Sequence, residues 1–145
     1  MAEDTKFKPL PERGLKRQKA NYIGAPAAFA LELAIRPIID AFGNDDDPYS
    51  GVYVVGSCLE RQDWRDVDVR FMMGDEKFYK LFPDARKDHW EFDPRWLLLT
   101  VMISKLLSEQ TGLPIDFQFQ PASHANTVHM GNRHALGLSV ALKNK

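Results

Sequence analysis

A single cysteine, Cys58, leaves the chain without an internal disulfide, so its stability has to come from a packed core. No apolar run reaches the roughly 18 residues of a spanning helix, and the first residues lack the charged, apolar, then small-residue layout of a secretory signal. A cytoplasmic protein is the simplest expectation. Neither sign of charge is in excess: 19 Lys and Arg against 20 Asp and Glu give a formal net charge of -1. That balance excludes a global pull toward nucleic acid or membrane and makes any polyanion contact a local one. There is no internal repeat and no low-complexity tract. The 145 residues suffice for one domain with a real core and are too few for two comfortable ones.

What is present is organised by periodicity and punctuation. Residues 1–20 form a modestly basic arm, with Lys6, Lys8, Arg13, Lys16, Arg17 and Lys19 against Glu3, Asp4 and Glu12. A solvated, flexible leader is the simpler reading of this arm, and a phosphate-backbone contact the sharper one. Residues 21–145 are expected to make the single domain. In "APAAFALELAIRPIIDAFG", Leu31, Ile35, Ile38, Ile39 and Phe42 recur at helical spacing, with Pro26 at the start, Gly43 as the stop and Pro37 placed to kink or split the helix. "GNDDDPYSG" reads as a turn with solvated aspartates. "VYVVGS" reads as a first strand. "DVDVRFMM" alternates as a second strand, and "DEKFYKLF" reads as a short helix capped by Asp75. "PDARKDHWEF" reads as a loop. "DPRWLLLTVMISKLLSEQTG" is the clearest helix, capped by Asp93, opened by Pro94 and stopped by Gly112. "LPIDFQFQ" is a third strand, with Ile115, Phe117 and Phe119 toward the core. The polar segment from Pro121 onward offers one apolar stretch, "LGLSVAL", as an edge strand. This order predicts an α+β fold, a small mixed sheet with helices packed on one face.

Strand alternation puts Asp66 and Asp68 on one face, about 7 Å apart along the backbone. Asp116 joins them if the third strand pairs beside the second. Carboxylates gathered there repel one another and raise each other's proton affinity, a cost that a divalent cation relieves. Oxygen-only ligands favour Mg²⁺ or Mn²⁺. Gly56 and Ser57, where the first strand ends, supply the complementary half: a sharp turn whose amides and hydroxyl can hold phosphate oxygens. A metal site facing a phosphate site suits in-line attack on the α-phosphate of a nucleoside triphosphate.

"VVGS" ending one strand, "DVDV" opening the next and "IDF" on a later one resemble the pattern of the polymerase-beta-like nucleotidyltransferase superfamily, whose minimal single-domain members match best in size. The resemblance spans residues 51 to 120. It implies that Gly56 and Ser57 bind the triphosphate, that Asp66 and Asp68 bind both metals, and that Asp116 completes the metal site where the acceptor hydroxyl is deprotonated. It also implies release of pyrophosphate and an acceptor that is a small molecule, protein or RNA, with a partner protein supplying part of the acceptor site. The connection "CLERQDWR" is shorter than the family's usual one. That shortness motivates the alternative of a catalytically weak or inactive fold acting as a nucleotide-binding or interaction module.

Other residues have bland readings beside sharp ones. His124, His129 and His134 recur at five-residue intervals that fit neither a helical zinc pair nor a structural zinc knuckle, so surface histidines are expected. Cys58 is expected to pack under the loop rather than act as a nucleophile. Arg61, Arg65, Arg70 and Arg133 either hold phosphates or offset aspartates, with Arg65 taken as the nucleotide contact. Trp64 stacks on a base or caps the core edge, while Trp90 and Trp96 read as packing. A third and weaker function is nucleic-acid binding through the arm, with steep salt dependence as its signature.

Overall fold

The structure is a computed structural model that describes residues 22–43 and 46–137. The basic arm and most of "LGLSVAL" lie outside the described residues. In chain order the elements are α1 (Ala25–Ala34), α2 (Arg36–Phe42), β1 (Gly51–Val55), β2 (Val67–Met73), α3 (Asp75–Leu81), α4 (Pro94–Thr111), β3 (Ile115–Pro121), α5 (Ala122–Val128) and β4 (His134–Leu136), with single 3-10 turns at Ser57–Leu59 and Trp90–Phe92. The four strands form one mixed sheet in the order β3-β2-β1-β4. β1 is antiparallel to both β2 and β4, and β2 is parallel to β3. The fold is thus α+β, as the order of elements predicts.

Pro37 divides the first helical stretch. Ile35 closes α1, its amide donating to Leu31 O, and opens α2, its carbonyl accepting from Ile38 N and Ile39 N. Leu31, Ile35 and Ile38 are buried, and Ile39 and Phe42 pack against the core. That core lies on one face of the sheet, where Val52, Val54, Val67, Val69, Phe71, Phe117 and Phe119 meet α1, α3 and α4. Aromatic rings thread it, with Phe119 within 4.9 to 5.5 Å of Phe42, Phe71, Phe82 and Phe117.

The expectation of helices on one face holds for α1 to α4 and fails for α5. Ala125 of α5 packs with Tyr53, Val55 and Met72, residues that alternate with the core-facing ones and so lie on the opposite face. Arg133 anchors this helix by donating to His129 O, Ala125 O and Asn126 Oδ1, with its guanidinium over the Tyr53 ring.

α4 closes the open edge of β3 with its side chains. Ser108 Oγ accepts from Ile115 N, Ser104 Oγ accepts from Phe117 N and donates to Phe117 O, and Trp96 Nε1 donates to Phe119 O. These bonds satisfy backbone groups that an edge strand otherwise leaves to water.

Several acidic residues act differently from their local sequence reading. Asp75 is the first residue of α3 rather than its cap, which is Gly74, and its carboxylate accepts from Ser123 N in the first turn of α5. Asp47, within the turn expected to carry solvated aspartates, accepts from Tyr49 N and Gly74 N and so ties that turn to the β2–α3 junction. Asp93 is the cap expected, accepting from Arg95 N and Trp96 N, and also from Asp84 N. Gly112 ends α4 in the left-handed conformation.

Asp93 is fully buried. Burial alone would raise its carboxyl pKa, but the three amides and Arg95 outweigh it and hold the pKa below the ordinary range. Its contribution to stability is therefore present above the unfolded-chain value of about 3.9 and is lost as pH falls through the lower folded value. Asp93→Ala is expected to cost about 2 kcal/mol at neutral pH, read as a lower urea midpoint, and Asp93→Asn less than half of that. An unchanged midpoint for the alanine variant would show that the three bonds contribute nothing.

Candidate functional site

The site begins where β1 ends. Val55 faces Asp68 across the antiparallel pair, and Asp68 faces Asp116 across the parallel one. One row therefore runs from the end of β1 through two carboxylates. Gly56, the next residue, has φ 87° and ψ -159°, a region essentially reserved to glycine. A Cβ there would collide with Asp68 Oδ2. Two demands thus fall on one residue: a backbone conformation and room for a carboxylate. The chain then turns through Ser57–Leu59, with Glu60 N and Arg61 N both donating to Ser57 O. Ser57 is half-buried beside the exposed Gly56.

Asp68 and Asp116 share a cation supplied by the chain itself. The Arg70 guanidinium is nine-tenths buried, with Nη2 3.7 Å from Asp68 Oδ1 and 3.5 Å from Asp116 Oδ2. Its Nη1 donates to Asp116 O at 2.6 Å. Burial pushes the Asp68 carboxyl up; Arg70 opposes this, while the charges of Asp116 and Asp66 add to it. Asp66 is exposed, one residue before β2, and Arg65 is exposed beside it. The structure thus brings Asp68, Asp116, Gly56 and Ser57 together, with Asp66 and Arg65 at the margin. Among the described residues, no three His, Cys, Asp or Glu side chains stand close enough to hold a metal ion. The pair Asp68 and Asp116 nevertheless fits a hard cation, since Mg²⁺ typically takes one or two protein carboxylates plus substrate phosphates.

The remaining candidates sort by contact. Arg61 is spent on Asp63 within the connection, at 3.0 Å. Trp64 caps the core edge, half-buried, and donates to Tyr22 O. Trp90 and Trp96 are buried as packing residues. Cys58 is buried, and its thiol is pushed up to about 11, by burial first and by the Asp68 charge second. It is protonated at neutral pH and is no nucleophile.

His124, His129 and His134 are half-buried rather than fully exposed. His124 packs its ring edge-on to Trp90 at 4.6 Å, and burial lowers its pKa. His129 is half-buried, and its pKa is lowered to about 4 by burial and by the charges of Arg70, Arg133 and His124. His134 is half-buried in β4, facing Val54. The five-residue spacing held no signal of this, because the neighbours, Trp90 for His124, Arg70 for His129 and Val54 for His134, are distant in sequence.

Two features near the carboxylates escape a linear reading. Tyr53 faces Arg70 across β1 and β2 and lies under Arg133. Arg70 bridges two strands, which is visible only once β3 is in register. Comparison of the chain with protein-family models, with curated proteins and with solved structures gave no match. No helix among the described residues is long and apolar enough to cross a membrane.

Proposed function

We propose that the protein is a metal-dependent nucleotidyltransferase that moves a nucleoside monophosphate from a nucleoside triphosphate to a hydroxyl. The observation that carries this reading is the contact of Gly56 with the Asp68 carboxylate, with Asp116 next in the row. A glycine turn and an acidic pair abut there, the combination that transfer at an α-phosphate uses. Asp68 and Asp116 would hold Mg²⁺ or Mn²⁺, with Asp66 at the margin of the site; the ion would supply charge neutralisation for the triphosphate and acidify the acceptor hydroxyl. Gly56 and Ser57 hold the phosphates, with Arg65 at the entrance. Asp116 takes the acceptor proton as the new bond to the α-phosphorus forms and the bond to the bridging oxygen breaks, with pyrophosphate leaving. Arg70 positions both carboxylates.

One observation favours a second reading, a nucleotide-binding or interaction module: Arg70 already offsets both carboxylates, so the cluster is stable without chemistry. Pyrophosphate release separates the two. Each labelled triphosphate is incubated with Mg²⁺ or Mn²⁺, with and without cell extract as acceptor source. Release that falls at least about 100-fold in Asp68→Ala and in Asp116→Ala supports the enzyme, and an equal fall in Asp66→Ala makes Asp66 the third ligand. Nucleotide binding without release under any condition supports the module. Absence of both rejects the enzyme and the nucleotide-binding form of the module.

A further inference from the structure

α4 faces the core with Trp96, Ile103 and Leu107, and away from it with another set of apolar side chains. Leu98 is 60% exposed, Val101 56%, Met102 54% and Leu106 44%. On α1, which packs beside α4, Phe29 at 64% and Leu33 at 44% are also exposed. Summed over α4 and α1, these six side chains offer on the order of 600 Å² of apolar surface, with the exposed Lys105 set among those of α4. With a polar rim added, the area approaches the ~800 Å² per partner of a standard interface.

The sequence of this face also carries an internal symmetry. Arg95, Leu98, Met102, Leu106 and Glu109 follow one another at intervals of three or four and so form one stripe, about 21 Å long at 1.5 Å per residue. The stripe is symmetric about Met102 in its chemistry: leucine four residues to either side, arginine seven before and glutamate seven after. Arg95 and Glu109 are both exposed.

We propose that this face binds a second copy of the chain, with α4 packed antiparallel on α4 across a two-fold axis through Met102. Leu98 then meets Leu106 of the partner copy, and Arg95 meets Glu109 of the partner copy, each contact made twice. Phe29 and Leu33 widen the interface on either side. The pairing is self-complementary in charge only in the antiparallel sense; the parallel one sets like charges together.

Sedimentation equilibrium of the full chain between about 1 and 100 µM tests the proposal, with circular dichroism confirming that every variant is folded. The expected result is a species of twice the 16.6 kDa chain mass. Met102→Glu places two like charges at the axis and is expected to leave only monomer. Arg95→Glu and Glu109→Arg are each expected to weaken dimerisation about fivefold or more, and the double variant to restore it to within about twofold. A monomer throughout the range overturns the proposal, whether the face is covered by the chain's own terminal residues, by another protein or by none. So does a dimer indifferent to Met102→Glu, or a double variant no better than either single one.

Discussion

Replacing Gly56 by alanine is expected to destabilise the fold by about 3 kcal/mol and, in the nucleotidyltransferase reading, to lower transfer about 100-fold. The two losses have one origin. At φ 87° and ψ -159° a side chain costs on the order of 1 to 3 kcal/mol in backbone strain. The added methyl also falls on Asp68 Oδ2, so either the turn or the carboxylate must move. Moving the carboxylate loosens its contact with Arg70; moving the turn shifts the phosphate-binding backbone. A displacement near 1 Å in a reacting geometry costs about 100-fold. Gly56→Val should be worse on both counts. Urea unfolding gives the first loss and pyrophosphate release the second. If Gly56→Ala unfolds at the wild-type midpoint, the turn is not constrained as the geometry requires.

Arg70→Met is expected to cost about 3 kcal/mol at pH 7, more than any surface ion pair. The methionine keeps the aliphatic bulk and removes the cation between Asp68 and Asp116. Removing one member of a buried pair typically costs 3 to 5 kcal/mol. The low end applies because Asp68 and Asp116 remain 28% and 43% exposed and can recruit water.

The pH dependence carries a definite sign. The Asp68 pKa is already raised in the folded protein, and loss of Arg70 removes the charge that opposes the rise. A raised carboxyl binds more protons folded than unfolded, so stability falls as pH climbs from the unfolded value of about 3.9 through the folded one. The deficit of Arg70→Met should therefore shrink toward pH 4. The same charge depresses His129 and His124, so both should titrate higher in the variant, which proton NMR of the imidazole resonances reports. Mg²⁺ should recover part of the lost stability, because two unpaired carboxylates then bind it without competition. A deficit that is constant from pH 4 to 8 and unmoved by Mg²⁺ would place the effect of Arg70 in packing alone.

The strand face carrying Asp68 and the glycine that ends β1 were legible because strand alternation and a glycine at a strand end are local properties; Asp116 joins Asp68 because the condition set for it, β3 pairing beside β2, is met. Alternation at 67, 69 and 71 and at 115, 117 and 119 set which face each strand buries, while the register that puts Asp68 opposite Asp116 emerges only in the sheet. Pro37, Asp93 and Gly112 were legible for the same reason, each acting within a few residues of itself. α5 was not. "ASHANTV" carries Ser, Asn and Thr, poor interior helix residues, and buries only Ala122 and Ala125, too narrow a stripe to stand out. The edge strand β4 ends where the apolar stretch chosen for it begins, at Leu136, and the rest of that stretch lies outside the described residues. Asp75 and Asp47 were misread because their partners, at Ser123 and Gly74, are distant in sequence, and so are the neighbours of His124 and His134, at Trp90 and Val54. Asp66 followed the alternation, yet it falls one residue short of β2 and stays exposed. Arg70 was visible as a neighbour of the aspartates, but its grip on Asp116 depends on a strand 46 positions further on.

The serines and tryptophan that α4 lays along β3 have a consequence for what the sheet can recruit. An uncovered edge strand is a template onto which a foreign extended segment adds, whether a peptide ligand or an aggregating neighbour. At β3 the docking positions at Ile115, Phe117 and Phe119 are already taken by Ser108, Ser104 and Trp96. A segment adding beside the carboxylates would have to displace these side chains first.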